Sequence, residues 1–221
     1  MGYKRGMANP SSGKGKSPVL CCFLNDFQLY RQQEVPSSRI VTEVGMPLVA
    51  FYFQLHQPFR LHPDRNKFLW EEQNRAIFLK VSEKCYLPAT RMFKALIRDY
   101  PEFRITLGMS GTFLRQAELY RSELVDELCG LLDAGRKNAQ VEYLDETYYH
   151  SLTSLFEDPQ KTEFREQVYL HREMMKRIFG IFPTSFRNTE LMYNNNIAMV
   201  VADMGYRSIL CEKRDDMYTG K

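Results

Sequence analysis

Five short strand-like stretches, the first four each followed by a polar turn and then by a segment of helical period, constrain this chain more than any other feature. They cover residues 47–53, 103–107, 140–144, 184–188 and 207–211. The first, PLVAFYF, is a continuous apolar run of the kind expected for a strand buried on both faces. The second is read as ending at Gly108 and the Ser110-Gly111 turn. Between the strands the spacing predicts helices over 73–99, 112–133, 159–179 and 194–204. Pro88 should break the first into two, Gly135 should stop the second and Gly205 the last. Strict alternation of strand and helix requires parallel strands joined by crossovers. Two architectures satisfy it, a doubly wound open sheet and a (β/α) barrel. The first strand-to-helix turn has no G-x-G-x-x-G, and G-x-x-x-x-G-K-[ST] occurs nowhere, which argues against a nucleotide site.

Charge separates the chain into two parts. The first 45 residues hold six basic and three acidic side chains. Subtracted from 30 basic and 27 acidic residues, that leaves 24 of each in the body. A balanced body has no electrostatic footprint for nucleic acid, and no run reaches the roughly 18 apolar residues that span a membrane. Residues 1–17 are rich in Gly, Ser and Lys and read as disordered. Residues 18–24, PVLCCFL, resemble a short signal-peptide core, although no small-residue cleavage site follows. The five cysteines show no C-x-x-C and read as buried free thiols in a reducing compartment, so the chain is expected to be cytoplasmic. The four histidines, at 56, 62, 150 and 171, form no H-E-x-x-H. Neither a metal nor another cofactor is expected. Nothing in the sequence fixes an oligomeric state.

In parallel α/β folds function gathers at the carboxyl ends of the strands. There this sequence places Gln54, His56 and Gln57; Ser110 and Thr112; Asp145, Glu146, Tyr148, Tyr149 and His150; Asn188 and Glu190; and Glu212 and Lys213. Two of the ends carry histidine and two carry carboxylates flanked by aromatics or amides. That chemistry suits a sugar, whose bonds are worked by carboxylates and whose hydroxyls are held by amides and rings. Blander readings exist for each. Glu190 could simply favour the N-terminus of the following helix, and Glu142 could be a solvated charge. Alternation along its strand puts Glu142 on the face opposite Tyr143, and a carboxylate turned into a barrel is costly without a purpose.

Three stretches sharpen this reading. FYFQLHQPFRL at 51–61 resembles the first conserved region of glycoside hydrolase family 57, marked by a strand followed by His-Gln-Pro. FRNTELMYNN at 186–195 resembles the family's nucleophile region in its α-amylase-like form, and VEYLDETYYHSL at 141–152 resembles the region between. They occur in the family's order, each at a strand end already singled out, and the likeness covers residues 46–221. It implies a (β/α)7 barrel, here incomplete with about five parallel strands. It also implies retaining, α-amylase-like chemistry on α-1,4-glucans such as starch, glycogen or maltodextrins. By position, Glu190 would be the nucleophile, and His56 and Glu142 would hold the sugar at the cleaved bond. Gln57, Tyr149, His150 and Asn188 would add contacts. The same likeness admits a 4-α-glucanotransferase or a non-catalytic glucan-binding remnant.

One part of the pattern is not matched. The family's acid/base aspartate lies well downstream of the nucleophile, and the later aspartates Asp215 and Asp216 stand in an unrelated context. The body of 176 residues also falls short of the roughly 200–250 of a bare barrel. The expectation is therefore a leader over 1–45, disordered or mis-annotated, before a truncated catalytic body that is inactive alone.

Overall fold

The computed structural model describes residues 20–23, 49–64 and 66–212. Most of the leader, Lys213, Asp215 and Asp216 lie outside them. Six strands are present among the described residues: β1 (Leu20–Phe23), β2 (Phe51–Leu55), β3 (Ile105–Met109), β4 (Val141–Leu144), β5 (Ser185–Arg187) and β6 (Ser208–Cys211). All pair in parallel, as β2-β3-β4 and as β1-β6-β5. Asp145 joins the two sheets. Its N–H donates to the Ser185 carbonyl at 3.0 Å and its carbonyl accepts from the Arg187 N–H at 2.9 Å. The strand order is then β2-β3-β4-β5-β6, wound one way without a reversal. This is an arc of a barrel rather than a doubly wound sheet. β1, drawn from the apolar run at 18–24, lies beyond β6, with Leu20 opposite Ser208 and Phe23 opposite Cys211.

The helices are α1 (Glu71–Val81), α2 (Leu87–Asp99), α3 (Gly111–Tyr120), α4 (Ser122–Gly135), α5 (Thr162–Phe179) and α6 (Asn195–Asp203). They cover one face of the sheet. Leu55, Ile105, Leu107, Met109 and Tyr143 from the strands pack there against Phe78, Phe113, Leu124, Leu128 and Met175. A second core gathers Phe186 and Ile209 with Ile197, Val201, Phe164 and Val168. α5 serves both cores, because Phe164, Val168, His171, Met175 and Phe179 fall at intervals of three or four on one stripe. The opposite, inner face of the arc carries Tyr52, Gln54, Thr106, Gly108, Glu142, Leu144, Ser185 and Arg187.

Several local expectations are corrected. β2 is not buried on both faces: Phe51 and Phe53 remain 45% and 44% exposed, because β2 pairs with β3 on one side alone. The first helical segment does divide into α1 and α2 with Pro88 in the first turn of the second, but the chain passes between them without a sharp stop. Residues 82–86 form a π turn in which the Leu87 N–H reaches back to the Ser82 carbonyl. This wider turn absorbs the missing proline N–H, and Pro88 sits in the first turn of α2. The helix expected over 112–133 divides at Arg121, whose extended φ of −153° redirects the chain, with no glycine or proline to announce it. Gly135 ends α4 through space rather than through a left-handed turn. A Cβ there would meet the Val141 side chain at 2.5 Å, while the left-handed residue is Ala139. β3 runs through Gly108 to Met109. Among the described cysteines, Cys85 is exposed rather than buried, Cys129 is half-buried and Cys211 is buried. No helix of the described residues is long and apolar enough to cross a membrane.

Candidate functional site

The carboxyl ends of β2, β3 and β4 and the turn after β5 bring one cluster together. The His56 and His150 rings stack with centroids 4.4 Å apart. The Nδ1 of His56 lies 2.7 Å from the Ser110 hydroxyl, which also caps α3 by accepting from the Phe113 N–H at 3.2 Å. One serine thus starts the helix after β3 and fixes the histidine after β2. Burial, followed by the neighbouring His150, lowers the His56 pKa from its ordinary 6.5 to about 4. His56 is therefore a neutral imidazole at neutral pH, able to exchange hydrogen bonds with a hydroxyl without carrying charge.

Glu190 sits on a one-turn 3-10 helix, residues 189–191, after β5. Its φ is +55°, and Leu191 has the same value, left-handed for two consecutive non-glycine residues. The turn is held from several sides. Asn188 Nδ2 donates to the Ser154 hydroxyl and to the Met192 carbonyl, both at 2.9 Å. The Thr147 and Thr189 hydroxyls meet at 3.1 Å. Strain that surrounding bonds maintain is the usual mark of a positioned functional residue. Its side chain is 72% exposed, and one carboxylate oxygen lies 3.9 Å from His150 Nε2. Glu190 is not the cap of α6. Asn194 does that work, accepting from the Ile197 N–H at 2.9 Å.

The residues expected from sequence divide in two. His56, His150 and Glu190 converge. Gln57 faces away: its amide donates to the Tyr86 hydroxyl at 3.0 Å, while its carbonyl oxygen accepts from Arg60 at 3.3 Å. Asn188 is fully buried and supports the Glu190 turn from beneath. Tyr149 is 53% exposed and packs edge-on against Tyr148. Glu142 does lie on the inner face, where it accepts from the Ser185 hydroxyl, but it stands near the start of its strand.

Gln54 and Glu146, placed by sequence at the strand ends but given no role there, join the cluster, and with them Tyr52, Gly108 and Arg187, which the sequence did not single out for it. Glu146 has no exposed surface; its two oxygens accept from the Gln54 amide nitrogen at 2.9 and 2.8 Å, and one lies 3.6 Å from His150 Nδ1. Gln54 in turn accepts from the Tyr52 hydroxyl. Burial pushes that tyrosine's pKa well up, so it stays a donor. Gly108 makes this possible, since a Cβ there would lie 2.5 Å from Gln54 Oε1 and 2.6 Å from the Tyr52 hydroxyl. Arg187 is buried on the inner face over the Tyr52 ring, with its Nε and one terminal nitrogen unpaired. The signal for Glu146 was its place two residues past β4, where pleating alternates: Asp145 turns to the helices and Glu146 to the inner face. Among the described residues, no group of three or more His, Cys, Asp or Glu side chains has the geometry to hold a metal ion.

The sequence model of glycosyl hydrolase family 57 matches residues 50–221. A Methanocaldococcus jannaschii protein named "Putative alpha-amylase" is 40% identical over 173 residues, 75% of this chain and 36% of that protein. An alpha-amylase of Pyrococcus abyssi is 23% identical over 175 residues, 79% of this chain and 23% of its own. In fold, the chain resembles the crystal structure of 4-alpha-glucanotransferase from Thermococcus litoralis, with a TM-score of 0.57 at 17% identity, over 78% of this chain and 23% of that one. The matched part of the chain therefore spans 36% and 23% of the length of these two curated relatives.

Proposed function

Because the chain belongs to glycosyl hydrolase family 57, we propose that it carries the nucleophile half of a retaining α-glucan hydrolase site, with Glu190 as the nucleophile. The observation that supports this is the strained, over-determined turn that presents an exposed carboxylate beside two stacked histidines at the strand ends. In this reading residues 46–221 form the catalytic body, with β1 (Leu20–Phe23) of the preceding segment added beyond β6, and the compartment is the reducing cytoplasm. The substrate is an α-1,4-glucan.

The chemistry follows from the groups present. The Glu190 carboxylate attacks the anomeric carbon, the glycosidic bond breaks and a glycosyl ester forms. Neutral His56, held by Ser110, accepts or donates at a sugar hydroxyl beside the cleaved bond. Retention also needs a carboxyl group about 5–5.5 Å from the nucleophile to protonate the leaving oxygen. Glu146 cannot be that acid, because it is sealed and tied to Gln54.

A leaving group that needs no proton isolates the nucleophile from its acid partner. Incubated with 5-fluoro-α-glucosyl fluoride, the chain should form an ester at Glu190 as the C–F bond breaks and fluoride departs with the bonding pair. Mass spectrometry of the peptide bearing Glu190 reads the result. The Glu190→Gln chain should remain unlabelled. Labelling at another residue, or equal labelling of both chains, removes Glu190 from the role.

A further inference from the structure

The nucleophile turn is reached by a line of polar groups that begins on the far strand. The Tyr52 hydroxyl donates to the Gln54 carbonyl oxygen, and the Gln54 amide donates to both oxygens of Glu146. Beyond Glu146 stands the His150 ring, with Nδ1 at 3.6 Å from the Glu146 carboxylate and Nε2 at 3.9 Å from Glu190. His150 is itself held at φ +55° and stacked on His56. Its Nδ1 is buried, and no group stands at hydrogen-bond distance from it.

A fully buried carboxylate needs donors around it. Gln54 supplies one side, and His150 Nδ1 is the group facing the other. A carboxylate beside one ring nitrogen fixes the proton there and thereby decides what the second nitrogen presents. From this geometry we infer that Glu146 is a positioning residue: it holds the proton of His150 on Nδ1 and aims Nε2 at Glu190 and at whatever sugar hydroxyl lies in the 3.9 Å gap. The inference rests on reading Glu190 as the nucleophile. Glu146 itself touches neither Glu190 nor substrate. Its effect on the reaction passes through the imidazole, as an orienting carboxylate acts in a Ser-His-Asp site.

The chain has four histidines, so ¹⁵N-labelled imidazoles can be resolved and assigned with one substitution each. At a pH where His150 is neutral, two-bond ¹H–¹⁵N correlations should show the proton on Nδ1. In Glu146→Leu, which fills similar volume without an acceptor, the proton should move to Nε2, the tautomer free imidazole prefers. A wild-type His150 with a bare Nδ1 overturns the inference without any variant, so misfolding of Glu146→Leu cannot rescue it. An unchanged tautomer in a folded Glu146→Leu chain overturns it equally. This measurement needs no turnover, so it separates the failure of Glu146 from the failure of Glu190 as nucleophile. Where Glu190 is labelled by the fluoride probe, Glu146→Leu should slow labelling about 10- to 100-fold at the same residue. A wild-type rate in the folded variant contradicts the inference.

Discussion

Asp145 and Glu146 are adjacent, both without exposed surface, and each faces a histidine. They differ in which side of the sheet they serve. Asp145 turns to the helices at the seam between the two sheets. There it meets His171 Nδ1, the Tyr206 hydroxyl and, at 3.6 Å, the Arg172 guanidinium. His171 Nε2 lies 2.6 Å from the Met109 carbonyl. Both ring nitrogens thus face acceptors, and both must donate, so His171 is an imidazolium. Burial opposes its charge, but the Asp145 carboxylate and its hydrogen bond outweigh burial and hold the pKa above the ordinary 6.5. Glu146 turns to the inner face, where its histidine is 3.6 Å away and leads to an exposed carboxylate. One pair is closed on every side and pins β3, β4, α5 and the approach to β6. The other is closed at one end and open at the other. A carboxylate beside a histidine is thus a closed structural rivet in one place and, in the reading proposed above, an open part of the site in the other.

The largest expected effect lies in the closed pair. His171→Leu strips the buried Asp145 carboxylate of its hydrogen-bonded cation, leaving the Tyr206 hydroxyl and the Arg172 guanidinium at 3.6 Å, and should cost about 3–5 kcal/mol of unfolding free energy. His150→Leu leaves Glu146 its Gln54 donors and should cost about 1–2 kcal/mol. Urea unfolding midpoints of the two chains give the difference directly. Equal losses would mean that both pairs are structural.

Titration separates the regions by sign. His171 has a raised folded pKa, so its contribution is complete below 6.5 and is lost as pH climbs through the folded value. His56 has a lowered one, about 4, so the folded state resists a proton that the unfolded chain accepts. Stability should therefore fall as pH drops from about 6.5 to about 4 through His56, and fall again on the alkaline side through His171. His56→Gln should flatten the acidic limb and leave the alkaline limb in place. A variant curve with the acidic limb unchanged would assign that limb to carboxylates instead.

Gly108 tests how the inner face was made. Gly108→Ala sets a methyl where Gln54 and Tyr52 lie, and overpacking of this kind costs about 1–3 kcal/mol. Gln54 can yield by rotating, which takes its amide off Glu146. Thermal unfolding should then show a modest loss together with a changed His150 imidazole signal. A loss of stability with an unaltered His150 signal would detach Gln54 from the relay.

These contrasts also show what could be read from residues alone. Alternation of strands and helices gave a parallel α/β fold, because periodicity is a local property that folding preserves, while the choice of a barrel over an open sheet came from the family likeness. His56, His150 and Glu190 were legible because strand ends are where parallel sheets leave polar groups uncovered. The break at Arg121 and the π turn before Pro88 were not, since both are set by how neighbouring helices pack and not by the residues at the break. His171 was hidden for the opposite reason. On the stripe of α5 it takes a core position, and its partner is 26 residues away across a crossover. Asn188 and Gln57 were placed in the right neighbourhood, but a sequence does not show which way a side chain turns once a competing partner is nearer.

The smallest effect concerns strain. Ala139 and Glu190 have almost the same backbone, φ +51° and +55°, yet one lies in the turn before β4 and the other at the site. Glycine takes this conformation without steric cost, while its greater freedom in the unfolded chain offsets part of the gain. Ala139→Gly and Glu190→Gly should each stabilise the fold by less than about 1 kcal/mol. Labelling by the glycosyl fluoride should survive the first and vanish in the second. If Glu190→Gly instead destabilises, the carboxylate is part of the scaffold, and the turn's left-handed geometry is held for packing rather than for presenting a nucleophile.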